Sequence, residues 1–213
     1  MTREEFLKEI KTKEWDSSIY VRDKQVMEFC KENLTDELRD DTKVAQVLVL
    51  LSPLAFYYLS PRLQQDDQFI NFYVTRKDFI THLYSFNDYY EGEQILNNKK
   101  VGLAAINSCW PTSKGMILEE LSMHLRNDPD VVYAAITNES ALPLVLATGK
   151  LKNNSNFLIK CMMKNPSSIE YFSNEAISNA IATIKEKMSN DDNEKYSKLY
   201  ELLNAKKQSS LKR

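Results

Sequence analysis

One short phrase returns five times along this chain: an Asp or Asn, two intervening residues, and then a bulky apolar residue that opens a run of helical length. It stands at Asp41–Val44, Asp66–Phe69, Asn98–Val101, Asp128–Val131 and Asn154–Phe157. A short polar side chain placed three residues ahead of an apolar run is suited to accept the open N–H groups of a helix's first turn. Between the apolar anchors the steps are 25, 32, 30 and 26 residues. A period in that range marks stacked repeats, units that cannot bury their apolar faces alone. The expected fold class is therefore all-α, a short irregular α-solenoid of helical hairpins with capping helices at both ends.

Composition agrees with that reading. Four glycines in 213 residues leave little material for tight β-turns or phosphate-binding loops. Charged residues at 27% and hydrophobic ones at 43% describe a folded chain rather than a disordered one. A net charge of −2 argues against broad affinity for nucleic acid, which needs concentrated Lys and Arg. No stretch approaches the roughly 18 apolar residues of a membrane span; the longest apolar run, Val47–Leu51, reads as a buried helix segment. The start Met1-Thr2-Arg3-Glu4-Glu5 lacks the apolar core of a secretory signal, so a cytoplasmic location on synthesis is expected. Cys30, Cys109 and Cys161 are far apart and odd in number, as reduced, mostly buried thiols would be.

The domain reading follows from the phrases. Residues 1–40 form an N-terminal helical cap, in which Thr2 and Glu5 make a capping box and a second helix from Ser18 turns Ile19, Val26, Phe29 and Cys30 inward. Residues 41–175 hold about five hairpins. In the fourth, Pro129 opens the first helix, Ala141–Thr148 forms the second, and Gly149 supplies a left-handed stop. In the first and fifth, the second helices follow Pro53 and Pro166. Residues 176–204 make a C-terminal helical pair built on Ala176, Ile177, Ala180 and Ile184. Residues 205–213, with Lys206, Lys207, Lys212 and Arg213 and no acid, read as a basic disordered tail.

The pattern that runs from Asp128 to Asn154, with Val131-Val132, Ala135, the polar turn Thr137–Ser140, Ala141-Leu142, Ala147 and Leu151-Lys152-Asn153-Asn154, resembles an uncharacterised tandem helical-pair repeat family. That family occurs in effector-type proteins of intracellular bacteria and in large viruses of protists. Roughly residues 41–175 fit it. The resemblance implies a helical-repeat architecture and no catalytic residues, and it suggests an effector or adaptor, delivered into a host cell if an effector.

Candidate chemistry is sparse. His82 and His124 are 42 residues apart and outside any metal-ligand spacing, so no metal or cofactor is expected; His124 reads as a partly buried helix residue. The pairs Asp40-Asp41, Asp66-Asp67 and Asp191-Asp192 read as helix caps. Aromatics concentrate instead: eight of the chain's 22 lie between Phe69 and Tyr90. Phe69, Phe72 and Phe79 keep core spacing. Tyr89 and Tyr90 fall in an insertion, the loop Phe86–Gly92, and Trp110 in a second insertion, Ser108–Ser113. Exposed Tyr and Trp are the side chains that dominate binding hot spots, and stacked repeats would set the two insertions side by side. Tyr89, Tyr90 and Trp110 are thus the expected protein-binding residues of a non-enzymatic module. The alternatives are a toxin-neutralising immunity protein, which would need a denser acidic surface, and a small hydrolase or transferase.

Overall fold

The computed structural model describes residues 1–76, 79–190 and 194–211, and among them every regular element is helical. Among the described residues the α-helices are α1 (Arg3–Thr12), α2 (Ile19–Asn33), α3 (Asp36–Asp40), α4 (Thr42–Leu51), α5 (Asp67–Val74), α6 (Phe79–Leu83), α7 (Tyr90–Leu96), α8 (Lys99–Ser108), α9 (Lys114–Glu120), α10 (Pro129–Ala135), α11 (Gly149–Lys152), α12 (Ser155–Lys164), α13 (Asn174–Asn190) and α14 (Glu194–Leu211). The chain divides into two compact units, Met1–Ser108 and Cys109–Arg213.

All five phrases are helix N-caps. The backbone N–H of each apolar anchor donates to the side-chain oxygen of its Asp or Asn, at 2.7–3.2 Å. The capping box predicted at Thr2 and Glu5 is also present. A cap of this kind contributes about 0.5–2 kcal/mol, so Asp128→Ala is expected to lower stability by that amount in a denaturant melt; an unchanged midpoint would show that the Asp128 bonds to Asp130 N and Val131 N do not support the helix.

Three hairpins share further landmarks. After α4 (Thr42–Leu51) and α12 (Ser155–Lys164), Ser52 and Asn165 take nearly the same extended backbone, φ −146° with ψ 122° and 108°. Each is followed at once by Pro53 or Pro166. The chain then returns to the residues ahead of the cap: Ser60 N donates to Arg39 O, Ser173 N to Lys152 O, and Thr148 N to the Asn127 side chain, each across 21 residues.

The second member of these hairpins differs from expectation. Pro53–Tyr58, Leu142–Leu146 and Pro166–Tyr171 are 3-10 turns, not α-helices. Proline at the first or second position fixes the entry, and 3-10 geometry is used in short pieces such as these. Gly149 is likewise not a left-handed stop: no described residue has a positive φ, and Gly149 opens the short helix Gly149–Lys152.

In the first unit, α1 (Arg3–Thr12) and α2 (Ile19–Asn33) pack on α4, burying Phe6, Ile10, Val26, Phe29, Cys30, Val44 and Leu48. Ile19 is exposed rather than inward, and so is Leu50 within the apolar run, because α4 has one face in the core and one in water. Next to this core the aromatic segment packs ring against ring in sequence: Phe56 stacks on Tyr73 at 4.4 Å, Tyr73 meets Phe79 edge-on at 5.0 Å, and Phe79 meets Phe86 edge-on at 5.9 Å. The Tyr73 hydroxyl donates to Pro53 O at 3.0 Å, which removes the cost of burying it. Phe72 is only half-buried.

The second unit contains α9 (Lys114–Glu120), α10 (Pro129–Ala135), α12, α13 (Asn174–Asn190) and α14 (Glu194–Leu211). Ala176, Ile177, Ala180 and Ile184 of α13 are buried as expected, together with Leu199 and Leu203 of α14. The tail is not irregular: α14 continues to Leu211, and Lys206 pairs with Glu170 of the Pro166–Tyr171 turn. Lys212 and Arg213, and the acidic pair Asp191-Asp192, lie outside the described residues.

Candidate protein-binding surfaces

The aromatic insertion of the first unit is structured. Phe86–Asp88 forms a 3-10 turn and Tyr90–Leu96 a helix, α7, so the expected loop Phe86–Gly92 is instead a turn joined to a helix. Two features hold it. Gly92 lets the turn approach closely, since a Cβ there would stand 2.1 Å from Phe86 O. Glu91, only 8% exposed, accepts from the Tyr58 hydroxyl at 2.5 Å, and Lys31 Nζ stands 3.2 Å from the same oxygen. Burial pushes the Glu91 carboxyl up in pKa, but the bonds from Tyr58, its own backbone and Lys31 outweigh that and hold it below the ordinary carboxylate value.

Tyr89 and Tyr90 part company on this scaffold. Tyr89 is the residue before α7 and is half-buried; burial, and then the nearby Asp23 charge, raise its pKa. Tyr90 is 62% exposed, with its ring edge-on to Tyr57 at 5.9 Å. A pocket of about 200 Å³ opens nearby, lined by Ile19, Tyr20, His82, Tyr84, Ser85 and Asp88. Ser, His and Asp in one pocket invite a nucleophile reading, but the Ser85 hydroxyl donates to the His82 carbonyl oxygen at 2.8 Å rather than to an imidazole nitrogen. Among the described residues no cluster of three His, Cys, Asp or Glu side chains could hold a metal ion.

The carboxylate pairs resolve residue by residue. Asp41 and Asp66 cap helices, whereas Asp40 accepts from Arg62 at 2.8 Å and pairs with Ser60, and Asp67 meets Lys100 at 2.8 Å. His82 is buried; His124 is exposed rather than partly buried, at the start of a 3-10 turn. Cys30 and Cys161 are buried thiols whose pKa burial pushes up to about 12, which removes thiolate reactivity.

Trp110 belongs to the second unit, a different unit from Tyr89 and Tyr90. It is 81% exposed, directly ahead of the 3-10 turn Pro111–Ser113. In the same unit a groove of about 320 Å³ runs between α9 and the Leu142–Leu146 turn, lined by Gly115, Met116, Leu142, Pro143, Val145 and Leu146 with Thr112 and Glu119. Met116, Leu142 and Val145 are each more than half exposed. Sequence reasoning missed this surface because it assigned Ala141–Thr148 to an α-helix. In a 3-10 turn, side chains three apart eclipse, so Leu142 and Val145 project together outward while Leu144 and Ala147 go in. The signal was present in Leu142-Pro143-Leu144-Val145-Leu146: four large apolar residues around a proline are more than one face of a short turn can bury.

No family model, curated protein or solved structure matches the chain.

Proposed function

We propose that this chain is a non-enzymatic, helical-repeat protein-binding module, and that its second unit seats apolar side chains of a partner protein in the groove between α9 and the Leu142–Leu146 turn. The observation that carries this reading is the groove itself. Three large apolar side chains project into water around a concave surface with little polar lining, a combination that marks interaction sites. A methionine on one wall adapts to differently shaped side chains. Trp110, exposed a few residues ahead of Thr112 on the groove rim, is an anchor of the type that dominates binding energy. The resemblance around Asp128–Asn154 gives the reading its form, an adaptor or effector acting on another protein. Among the described residues no helix is long and apolar enough to cross a membrane.

Affinity capture with the intact protein identifies the partner, and titration of the purified pair tests the groove. The combined variant Trp110→Ala, Leu142→Ser and Val145→Ser is expected to weaken binding by at least about 2 kcal/mol, a hot-spot loss. Its melting temperature should stay close to that of the parent, because all three side chains are exposed. Tyr89→Ala with Tyr90→Ala tests the first unit in parallel. Full-strength binding by the groove variant, with loss only in the tyrosine variant, would place the interface in the first unit.

A further inference from the structure

Positive charge gathers at the C-terminal end of α10. Lys114 reaches it from the start of α9, and Lys160 and Lys164, one turn apart, reach it from α12. Lys164 Nζ donates to Tyr133 O at 2.9 Å and Lys114 Nζ to Ala134 O at 3.4 Å. Lys160 Nζ and Lys164 Nζ stand 4.4 and 4.5 Å from the centroid of the Tyr133 ring. The two carbonyls are among those that a helix end leaves open, and the negative end of the helix dipole suits the ammoniums. The Tyr133 ring attracts two of the amines.

These contacts leave most of the cluster's capacity unused. Each ammonium has three N–H donors, and the backbone bonds of Lys114 and Lys164 employ one apiece. Asp130 Oδ1 stands 3.8 Å from Lys160, with both side chains at least half exposed, an arrangement in which a pair contributes little. Three like charges thus share one helix end with partial neutralisation. Lys164 reports the strain: burial, and then the Lys114 charge, lower its pKa.

We propose that Lys114, Lys160 and Lys164 form an anion-binding site at the C-terminal end of α10, matched to a phosphate-type ligand with two or more negative charges. Such a ligand supplies the charge the cluster lacks, and its several oxygens accept from more than one ammonium at once. The same chemistry is offered by free inorganic phosphates and by phosphate monoesters. Lysine, a point charge with rotatable donors, accommodates either.

Calorimetric titration of the intact protein at low ionic strength, with inorganic pyrophosphate in one arm and O-phosphoserine in the other, tests the site. Saturable one-to-one binding is expected for at least one of them, and the tighter arm identifies the source. Lys160→Gln with Lys164→Gln should weaken it at least about tenfold, while the equal charge change Lys150→Gln with Lys185→Gln should alter it less than about twofold, since both are exposed lysines outside the cluster and solvent screens their charge. Lys160→Gln alone, which breaks no backbone bond, should weaken binding about threefold even if the double variant folds poorly. No saturable binding of either probe, or the same loss in the control variant, would overturn the proposal.

Discussion

Gly92→Ala is expected to destabilise the protein by at least about 3 kcal/mol, the upper part of the range for forcing atoms into a packed site. The added Cβ would stand 2.1 Å from Phe86 O and 2.7 Å from two further backbone atoms of Phe86. Neither side can yield cheaply. Gly92 lies inside α7, and Phe86 is buried against Phe79. Relief requires the Phe86–Asp88 turn to shift, which would pull the Phe86 ring away from its edge-on contact with Phe79 at the end of the Phe56–Tyr73–Phe79–Phe86 row. Gly149→Ala is the matched control, because nothing lies within 4 Å of a Cβ built there. In that exposed helical position alanine should leave stability unchanged or raise it by up to about 1 kcal/mol. Equal melting curves for the two variants would show that the close approach at Gly92 does not constrain the fold.

Glu91→Ala is expected to cost about 2–3 kcal/mol at neutral pH, chiefly by stranding the buried Tyr58 hydroxyl. Lys31 is exposed enough that its share of the cluster is small. The loss depends on pH in a definite direction. The folded carboxyl is held below its ordinary value of 4.5, so the ionised form is favoured by folding. Its stabilisation is complete above the unfolded-state value and is lost as pH falls through the lower folded-state value. Denaturant melts of the parent and of Glu91→Gln should therefore converge as the solution is acidified below about pH 4. A difference that stays constant from neutral to acid pH would mean that Glu91 acts through packing and not through charge.

These two neighbours mark the limit of sequence reading in the first unit. Glu91 and Gly92 look like ordinary loop residues beside Tyr89 and Tyr90, and nothing local announces that one is a buried acceptor and the other a contact point. Their partners, Tyr58 and Phe86, lie 33 and six residues back, and only the folded chain brings the four together. Similarly, Asp40-Asp41 and Asp66-Asp67 are alike as dipeptides. What separates the two members of each pair is spatial: Asp41 and Asp66 cap, while Asp40 and Asp67 pair with Arg62 and Lys100 from later in the chain.

The N-caps were legible because capping is a contact between residues three apart, settled within one turn of helix. All five Asp and Asn positions, the Thr2–Glu5 box, and the prolines that open Pro53–Tyr58, α10 and Pro166–Tyr171 belong to that class. The all-α character followed from their recurrence and from the lack of turn-forming glycine. Tertiary packing decided the rest. Whether a short apolar segment after a proline continues as α-helix or tightens to a 3-10 turn depends on the space its neighbours leave, and that choice set Leu142 and Val145 outward on the groove. Whether the lysines of α9 and α12 disperse into water or converge on one helix end depends on where those helices lie relative to α10. Local chemistry fixes where helices begin; which side chains they then share is a long-range outcome that short-range pattern does not encode.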